Sequence, residues 1–238
     1  MAPYRYAASD PGGPDPYFAN VVLLVDASSE SDGSTPGTID VTGKTPTWRN
    51  NAQCKTNQFK FGASSIYLDG TNDRVSFADS SDWAMGTGDA TWEAWIRLDG
   101  ASSISRVYLG QATSTFGFYS IVGYRNSSRS HYGAVSSGSN SYGGTGGEIV
   151  PDLWTHVAIV RSGSNLYTYL NGTRTVVSTS VSGVSIMDST GAMTIGGWAD
   201  VDHETNWKGW IDQVRITKGV ARYTASTITV PTAPFPHS

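Results

Sequence analysis

The sequence predicts an all-β fold, a two-sheet antiparallel β-sandwich, and three observations carry this prediction. Turn signals recur about every 8–12 residues, the spacing typical of sandwiches. No segment has the periodicity of an amphipathic helix. The 238 residues include 27 glycines and only 15% charged residues, which suits many short strands joined by tight turns.

The first twenty residues differ from the rest, and we interpret residues 1–20 as an extended arm. Pro3, Pro11, Pro14 and Pro16 exclude a helix and disfavour a central strand. A disordered leader is the alternative, although the aromatic side chains in this segment favour docking. Residues 21–238 contain no internal linker or repeat, so they are predicted to form one domain.

The predicted strands follow one another with clear turn chemistry in most places. Ser- and Gly-rich residues 126–147 predict long loops around one weak strand. The strands are predicted at 21–25, in a hairpin within 61–77, at 91–98, 107–110, 116–124, weakly at 132–135, then at 153–161, 166–170, 173–177 and 192–197, and finally in the closing stretch 209–224.

The closing stretch, GWIDQVRITKGVARYT, contains an acidic residue among apolar ones. A period of two places Asp212 on the same face as Val214 and Ile216, which predicts that Asp212 points to the buried side. A carboxylate there must be hydrogen-bonded, paired or metal-bound, because burying it bare is too costly.

Composition excludes several classes of protein. A net charge of −4 and a pI near 5.5 argue against a nucleic-acid partner, which requires a basic surface. No apolar run approaches the roughly 18 residues of a membrane span, so membrane insertion is not expected. The residues after Met1 lack an apolar core, so no secretory signal is expected either. The single cysteine, Cys54, cannot form an internal disulfide.

Several segments together resemble one family. They include VVLLVDAS, KFGASSIYLDGTNDRVSF, LWTHVAIVRSGSNLYTYLNGTRT and GWIDQVRITKGVARYT, and they extend from Val21 to Phe235. The chain resembles LamG-like jelly-roll domains of the concanavalin A-like lectin/glucanase superfamily, and it is similar to those of tailed-phage structural proteins. The resemblance implies two curved antiparallel sheets, with ligands and calcium at the rim or the concave face.

Catalysis is not expected. Glycosidases use two carboxylates about 5 Å apart or somewhat more, and catalytic relatives of this fold carry them as E-x-D-x-x-E on one strand. None of the four glutamates here begins that pattern. A glycosidase remains the alternative, and it would depend on Glu93 or Glu204. Fold alone does not decide the function.

Calcium is the predicted cofactor, since the chain offers hard oxygen ligands in loops. In the segment ADVDHETN, Asp200, Asp202, Glu204 and Asn206 stand at alternate positions. By resemblance, the loop after the MTIGG strand is where calcium and ligand meet. A solvated acidic loop is the alternative.

A second calcium site is predicted at Asp26 and Asp212. Both residues end or interrupt apolar strands, and by resemblance they lie near each other at a structural ion. The alternative is that Asp212 is satisfied by backbone N–H groups alone.

Glycan binding is predicted at the acidic loop and its bracketing tryptophans, because aromatic faces stack on sugar rings while Asp and Asn side chains bind hydroxyls. Trp95, between Glu93 and Arg97, is a further candidate platform, with packing under a loop as the alternative. The predicted ligand-binding residues are Trp198, Asp200, Asp202, His203, Trp207, Asn140 and Tyr142. Both tryptophans of the loop could equally belong to the core.

These observations predict a non-catalytic module on a virion surface that binds carbohydrate or a host surface. The alternative is a purely structural virion protein, a capsid decoration or fibre-head subunit, in which residues 2–20 dock to other virion proteins. A homo-oligomer is left open.

Overall fold

The computed structural model describes residues 13–113, 119–178, 180–198 and 205–238. Within these ranges all the paired strands are antiparallel, and the only helical turns are two short 3-10 segments, Phe18–Asn20 and Ser81–Trp83. None of the described helices is long and apolar enough to cross a membrane. The strands are β1 (Val21–Val25), β2 (Pro46–Arg49), β3 (Gln53–Lys55), β4 (Ser65–Asp69), β5 (Arg74–Phe77), β6 (Ala90–Leu98), β7 (Arg106–Ala112), β8 (Tyr119–Arg125), β9 (Ser130–Ser136), β10 (Ser141–Glu148), β11 (Thr155–Ser162), β12 (Asn165–Leu170), β13 (Thr173–Ser178), β14 (Met193–Ile195) and β15 (Lys208–Lys218).

Two sheets face each other, which confirms the predicted sandwich. The first has eight strands in the order β13-β12-β11-β6-β15-β4-β3, with β1 pairing the other half of β15. The second has seven strands in the order β10-β9-β8-β7-β14-β5-β2. A single apolar cluster fills the space between them and draws side chains from both sheets.

Strand β6 alternates as its sequence predicts. Trp92, Ala94 and Ile96 point into the inter-sheet core, so the residues between them lie on the outer face of the eight-stranded sheet. Trp95 on that face is nevertheless only 4% exposed. The ammonium group of Lys60 lies 4.0 Å from the centroid of its ring. Trp95 therefore packs under a loop, and it does not offer a platform for a sugar.

A β-bulge in β15 makes the predicted face of Asp212 wrong, although the side chain is buried as predicted. Asp212 and Arg215 pair with two β6 residues that are only two positions apart, so β15 contains one extra residue. Gln213 lies at the bulge, and its φ is 51°. The bulge reverses the alternation, so Val214 joins the inter-sheet core while Asp212 lies on the outer face.

The predicted hairpin within 61–77 is also wrong, because its two strands enter different sheets. β4 pairs with β15 and β3, whereas β5 pairs with β14 and β2. The buried carboxylate of Asp73 fixes this crossing, since it accepts the backbone N–H groups of Asp69 (2.8 Å) and Asn51 (2.7 Å). The chain thus crosses the sandwich at 70–73.

Two further strand predictions have different outcomes. The meander β11-β12-β13 is confirmed, and its second turn places Asn171 at φ 46° and Gly172 at φ 80°, the signs that a type I′ turn requires. In contrast, the region predicted to hold one weak strand contains the full hairpin of β9 and β10.

Residues 13–20 of the arm and the C-terminal tail cover the outer face of the eight-stranded sheet. The backbone N–H of Asp15 donates to the carbonyl of Ser238 at 2.7 Å, which joins the two segments. Phe235 packs with Val21 and Leu24, and the hydroxyl of Tyr169 donates to the carbonyl of Ala225 at 2.8 Å. One outer face of the sandwich is therefore closed by the chain itself.

Candidate functional site

An aromatic pocket lies on the outer face of the other, seven-stranded sheet. Its volume is about 320 Å³, at the lower end of the 300–1,000 Å³ range typical of small-molecule sites. Its lining is largely apolar, and the described lining residues include no charged side chain. The lining residues are Ser105, Val107, Tyr119, Val122, Tyr124, Tyr132, Trp198 and Thr205.

Strand register aligns the rings of this pocket. Val107 of β7 pairs with Tyr124 of β8, and Tyr124 pairs in turn with Tyr132 of β9. Directly opposed residues in antiparallel strands point to the same face, so these three side chains form one row across the sheet. The rings of Tyr124 and Tyr132 lie 4.7 Å apart between centroids.

Trp198 closes the opposite side of the pocket because its segment crosses β7 at a glycine. A Cβ atom at Gly110 would lie 2.7 Å from the carbonyl oxygen of Trp198, so only glycine permits this approach. The hydroxyl of Thr194 fixes the crossing, since it lies 2.8 Å from the carbonyl of Gly110 and 2.7 Å from that of Gly197. The indole then meets the ring of Tyr119 with 5.0 Å between centroids.

The phenols of Tyr119 and Tyr124 are uncharged at neutral pH. Burial raises the pKa of Tyr119 to about 12 and outweighs the opposing hydrogen bond with the Ser141 hydroxyl. Burial also raises the pKa of Tyr124, with a further contribution from Tyr132. The site therefore offers ring faces and hydroxyl groups, with no carboxylate, histidine or lysine among its described lining residues.

The predicted ligand-binding residues divide among different parts of the molecule. Trp198 lines the pocket, whereas Asp200, Asp202 and His203 lie outside the described residues. The segment containing them is bounded by Trp198 and Thr205, both of which line the pocket. Asn140 is exposed at the turn between β9 and β10, where its carbonyl accepts the N–H of Ser137 at 2.9 Å.

Two of the predicted ligand-binding residues require correction. Trp207 is fully buried and belongs to the inter-sheet core, where its ring contacts that of Tyr108 at 6.1 Å between centroids. Tyr142 pairs with Val135, a residue of the same core, and packs against that core itself. Both rings thus lie on the inner side of the seven-stranded sheet and cannot reach a ligand on its outer face.

Asp26 and Asp212, the predicted second metal site, are close enough to interact. Asp212 is buried, and its Oδ2 accepts the N–H groups of Lys60 (2.9 Å) and Phe61 (3.1 Å). Its Oδ1 is buried and has no hydrogen-bond partner. Burial raises the pKa of Asp212 to about 7, against these two hydrogen bonds, and the charge of Asp26 raises it further.

The pair supplies only part of what calcium requires. The unpartnered Oδ1 of Asp212 fits a cation ligand, but Asp26 already accepts the N–H of Ser28 and lies 2.9 Å from Nε2 of His237. Calcium takes about six to eight oxygen ligands. Among the described residues, no three His, Cys, Asp or Glu side chains converge as a metal site would require.

Glu93, a candidate catalytic residue, belongs to a cluster of buried charged side chains under the arm. Glu93 Oε1 accepts from Arg215 (Nε, 2.9 Å) and Oε2 from the hydroxyl of Tyr223 (2.7 Å). Burial would raise the pKa of Glu93, but Arg215, His156 and Arg222 together lower it below its usual range. Asp15 completes the cluster by binding both arginines at 2.7–3.0 Å. Glu93 is thus fully engaged in holding the arm and tail.

Sequence reasoning missed the tyrosines of the pocket, although a signal was present. Tyr132 stands at the start of the weak strand predicted at 132–135, and Tyr124 at the end of a predicted strand. Once β8 and β9 are paired, Val122 and Tyr124 face Ala134 and Tyr132 in one apolar patch. An apolar row on the solvent face of a predicted hairpin would have indicated the site.

A family model matches residues 69–223, and its description is Laminin_G_3, Concanavalin A-like lectin/glucanases superfamily. The matched part contains most strands of both sheets and every pocket residue. A search of curated proteins found no match to this sequence.

Solved structures of several kinds share the fold. Botulinum neurotoxin type C, whose cell entry depends on interaction with two ganglioside molecules, matches with a TM-score of 0.62 at 12% identity, over 87% of this chain and 50% of that one. Trypanosoma rangeli sialidase in complex with 2,3-difluorosialic acid matches with a TM-score of 0.62 at 13% identity, over 89% and 33%. Domain 4 of AbnA, a GH43 extracellular arabinanase from Geobacillus stearothermophilus, in complex with arabinotriose, gives 0.60 at 16% identity, over 85% and 94%.

These neighbours show the fold alone, because each is less than 25% identical to this chain. The chain spans half or less of the neurotoxin and sialidase structures, and nearly the whole of the arabinanase domain. Some neighbours are binding domains and others are parts of enzymes.

Proposed function

We propose that this chain, which belongs to the Laminin_G_3 family of the concanavalin A-like lectin/glucanases superfamily, is a non-catalytic module that binds carbohydrate in the aromatic pocket of the seven-stranded sheet. The observation that carries the proposal is the pocket itself, in which three tyrosines and a tryptophan surround about 320 Å³. Aromatic rings bury large apolar areas at fixed geometry, and the apolar faces of sugar rings are suited to them.

The chemistry of the site supports binding without catalysis. The part of the lining that the structure describes holds no carboxylate, whereas glycoside hydrolysis generally uses a pair of them. Glu93, one of the two glutamates that a catalytic function would recruit, is buried under the opposite face in ion pairs with arginine, while Glu204, the other, lies outside the described residues. The ligands named for the neurotoxin, sialidase and arabinanase structures are consistent with a carbohydrate ligand here.

Display on a virion surface remains part of the proposal. Residues 13–20 of the arm pack against the chain's own surface through Asp15 and Phe18, so contacts to other virion proteins would fall to residues 2–12. Calcium likewise remains a proposal, at Asp26 and Asp212, where the unpartnered Oδ1 of Asp212 supports it, and at Asp200 and Asp202.

A glycan array probed with the parent chain and with two pocket variants tests the carbohydrate proposal. Trp198→Ala and Tyr132→Ala each remove one ring from the lining, and each is expected to lower affinity by ~1–3 kcal/mol, as loss of a packed aromatic contact does. Phe59→Ala is the matched control, because Phe59 is 42% exposed and does not line the pocket.

Equal binding by all four proteins would contradict the assignment of the pocket. Absence of binding by the parent to any glycan would contradict carbohydrate recognition itself.

A further inference from the structure

We infer that the ligand of this pocket is an uncharged saccharide, and that acidic sugars are excluded from it. The inference rests on the proposed carbohydrate function and narrows it to a ligand class. It follows from where the charges around the pocket lie and which groups they already bind.

Among the described residues, the pocket lining offers no cation to an acidic sugar. These lining residues are apolar, aromatic or hydroxyl-bearing. An isolated carboxylate placed among them would lose hydration with no ionic partner, which is strongly unfavourable. A neutral sugar loses far less, because Ser105, Thr205 and the phenols can exchange hydrogen bonds with its hydroxyls.

Two arginines stand next to pocket residues on β7 and β8, and both donate hydrogen bonds to backbone carbonyls of the protein. Arg106 donates to the carbonyls of Gly70 (2.6 Å) and Asn206 (2.8 Å). Arg125 is buried and donates to the carbonyl of Ser102 at 3.0 Å. Arg106 and Arg125 pair with each other next to the pocket pair Val107 and Tyr124, so strand alternation points both guanidinium groups to the opposite face of the sheet. Neither therefore serves as an anion-binding group of the pocket.

The charges in the sequence between Trp198 and Thr205 also disfavour an acidic ligand. Between Trp198 and Thr205 the chain reads ADVDHE, with three carboxylates and no lysine or arginine. The two residues that flank this segment in the sequence, Trp198 and Thr205, line the pocket. Like charges near a site repel an incoming anion and slow its association.

The volume limits the length of the ligand that is bound. About 320 Å³ is near the minimum for a small-molecule site, so the pocket holds roughly one or two sugar rings. A longer chain would extend beyond the pocket and gain few contacts there.

Matched neutral and acidic glycans test the inference by calorimetry at low salt. The probes are desialylated and sialylated forms of one glycoprotein glycan, and neutral galactan beside polygalacturonate. We expect the parent to bind at least one neutral probe and to prefer it to its acidic partner by about tenfold or more. Tyr132→Ala should weaken that binding about fivefold or more, and Phe59→Ala should retain it.

A charge-introducing variant gives a second readout. Ser105→Lys places a cation at the pocket and is expected to shift preference toward the acidic partner, with the size of the shift falling as salt is added.

Tighter binding of acidic probes by the parent, lost in Tyr132→Ala, would overturn the inference while leaving the carbohydrate function intact. Failure of the parent to bind any glycan would overturn both. Binding of tetramethylammonium in place of sugars would also overturn both, since a cluster of aromatic rings also suits such cations.

Discussion

The two carboxylate oxygens of the buried Asp212 have very different surroundings. One oxygen of its carboxylate accepts two backbone N–H groups, while the other is buried without a partner. Asp26, which itself lies against His237, adds a negative charge nearby. Burial and this charge raise the folded-state pKa to about 7 from an ordinary value of 3.8, so the folded protein binds a proton here more tightly than the unfolded chain does.

This linkage gives a stability prediction with a definite sign. Because the folded pKa is raised, the stabilisation is fully present below about pH 4 and is lost as pH rises through about 7. Asp212→Asn mimics the protonated form at every pH. We expect its free energy of unfolding to exceed that of the parent by on the order of 2 kcal/mol at pH 8, with the difference shrinking toward pH 4, measured by urea unfolding.

Calcium provides the control for that experiment. If the ion binds at Asp26 and Asp212, adding it at pH 8 should stabilise the parent and leave Asp212→Asn unchanged. Stabilisation of both proteins would place the ion elsewhere. A parent that is as stable at pH 8 as Asp212→Asn without calcium would contradict the raised pKa.

Local patterns predicted the individual residues well where strands are regular. The core face of β6 and the Asn171–Gly172 turn were both predictable, because alternation and turn chemistry depend on neighbouring residues alone. The face of Asp212 was not, since a bulge at Gln213 inserts one residue. Nothing in the composition of GWIDQVRITK marks that insertion. It becomes visible only when the strand is paired with β6.

Among the elements, the N-terminal arm is tied down by ion pairs rather than by strand pairing. Asp15 is buried and bound to Arg215 at 3.0 Å and to Arg222 at 2.7 Å. The ring of Phe235 covers the Arg215 guanidinium at 4.0 Å. Removing one partner from such a cluster leaves buried charge uncompensated, which costs far more than the loss of a surface pair.

Two truncations test which part of the arm stabilises the fold. Deleting residues 2–12 should leave the melting midpoint nearly unchanged, whereas deleting residues 2–18 or changing Asp15→Ala should lower it by roughly 5 °C or more. Asp32→Ala is the matched control, because Asp32 forms an exposed pair with Lys55 and its loss should have little effect. The midpoints are measured by calorimetry.

The same truncation tests the virion proposal. If residues 2–12 dock the module to other virion proteins, their deletion should abolish incorporation into particles without changing the melting midpoint. Unchanged incorporation would rule out this part of the arm. A large fall in the melting midpoint on deleting residues 2–12 would contradict the prediction that these residues do not stabilise the fold.

At the scale of the whole molecule, the two outer faces of the sandwich have different chemistry. The eight-stranded sheet is covered by the arm and tail, with paired charges sealed beneath them. The seven-stranded sheet presents an aromatic pocket. The sequence predicted the sandwich but not this asymmetry, because it arises from how β7, β8 and β9 align and from where the tail lies. Of the predicted ligand-binding residues, Trp198 alone lines the pocket among those described.

The central claim is that carbohydrate binds on the outer face of the seven-stranded sheet. Amide chemical-shift mapping during titration with the best glycan from the array tests it most directly. We expect the largest shifts in β7, β8 and β9 and at Trp198 and Thr205, with residues of β11 and β12 unchanged. Shifts concentrated on the eight-stranded sheet or its covering tail, with the pocket residues silent, would contradict the account.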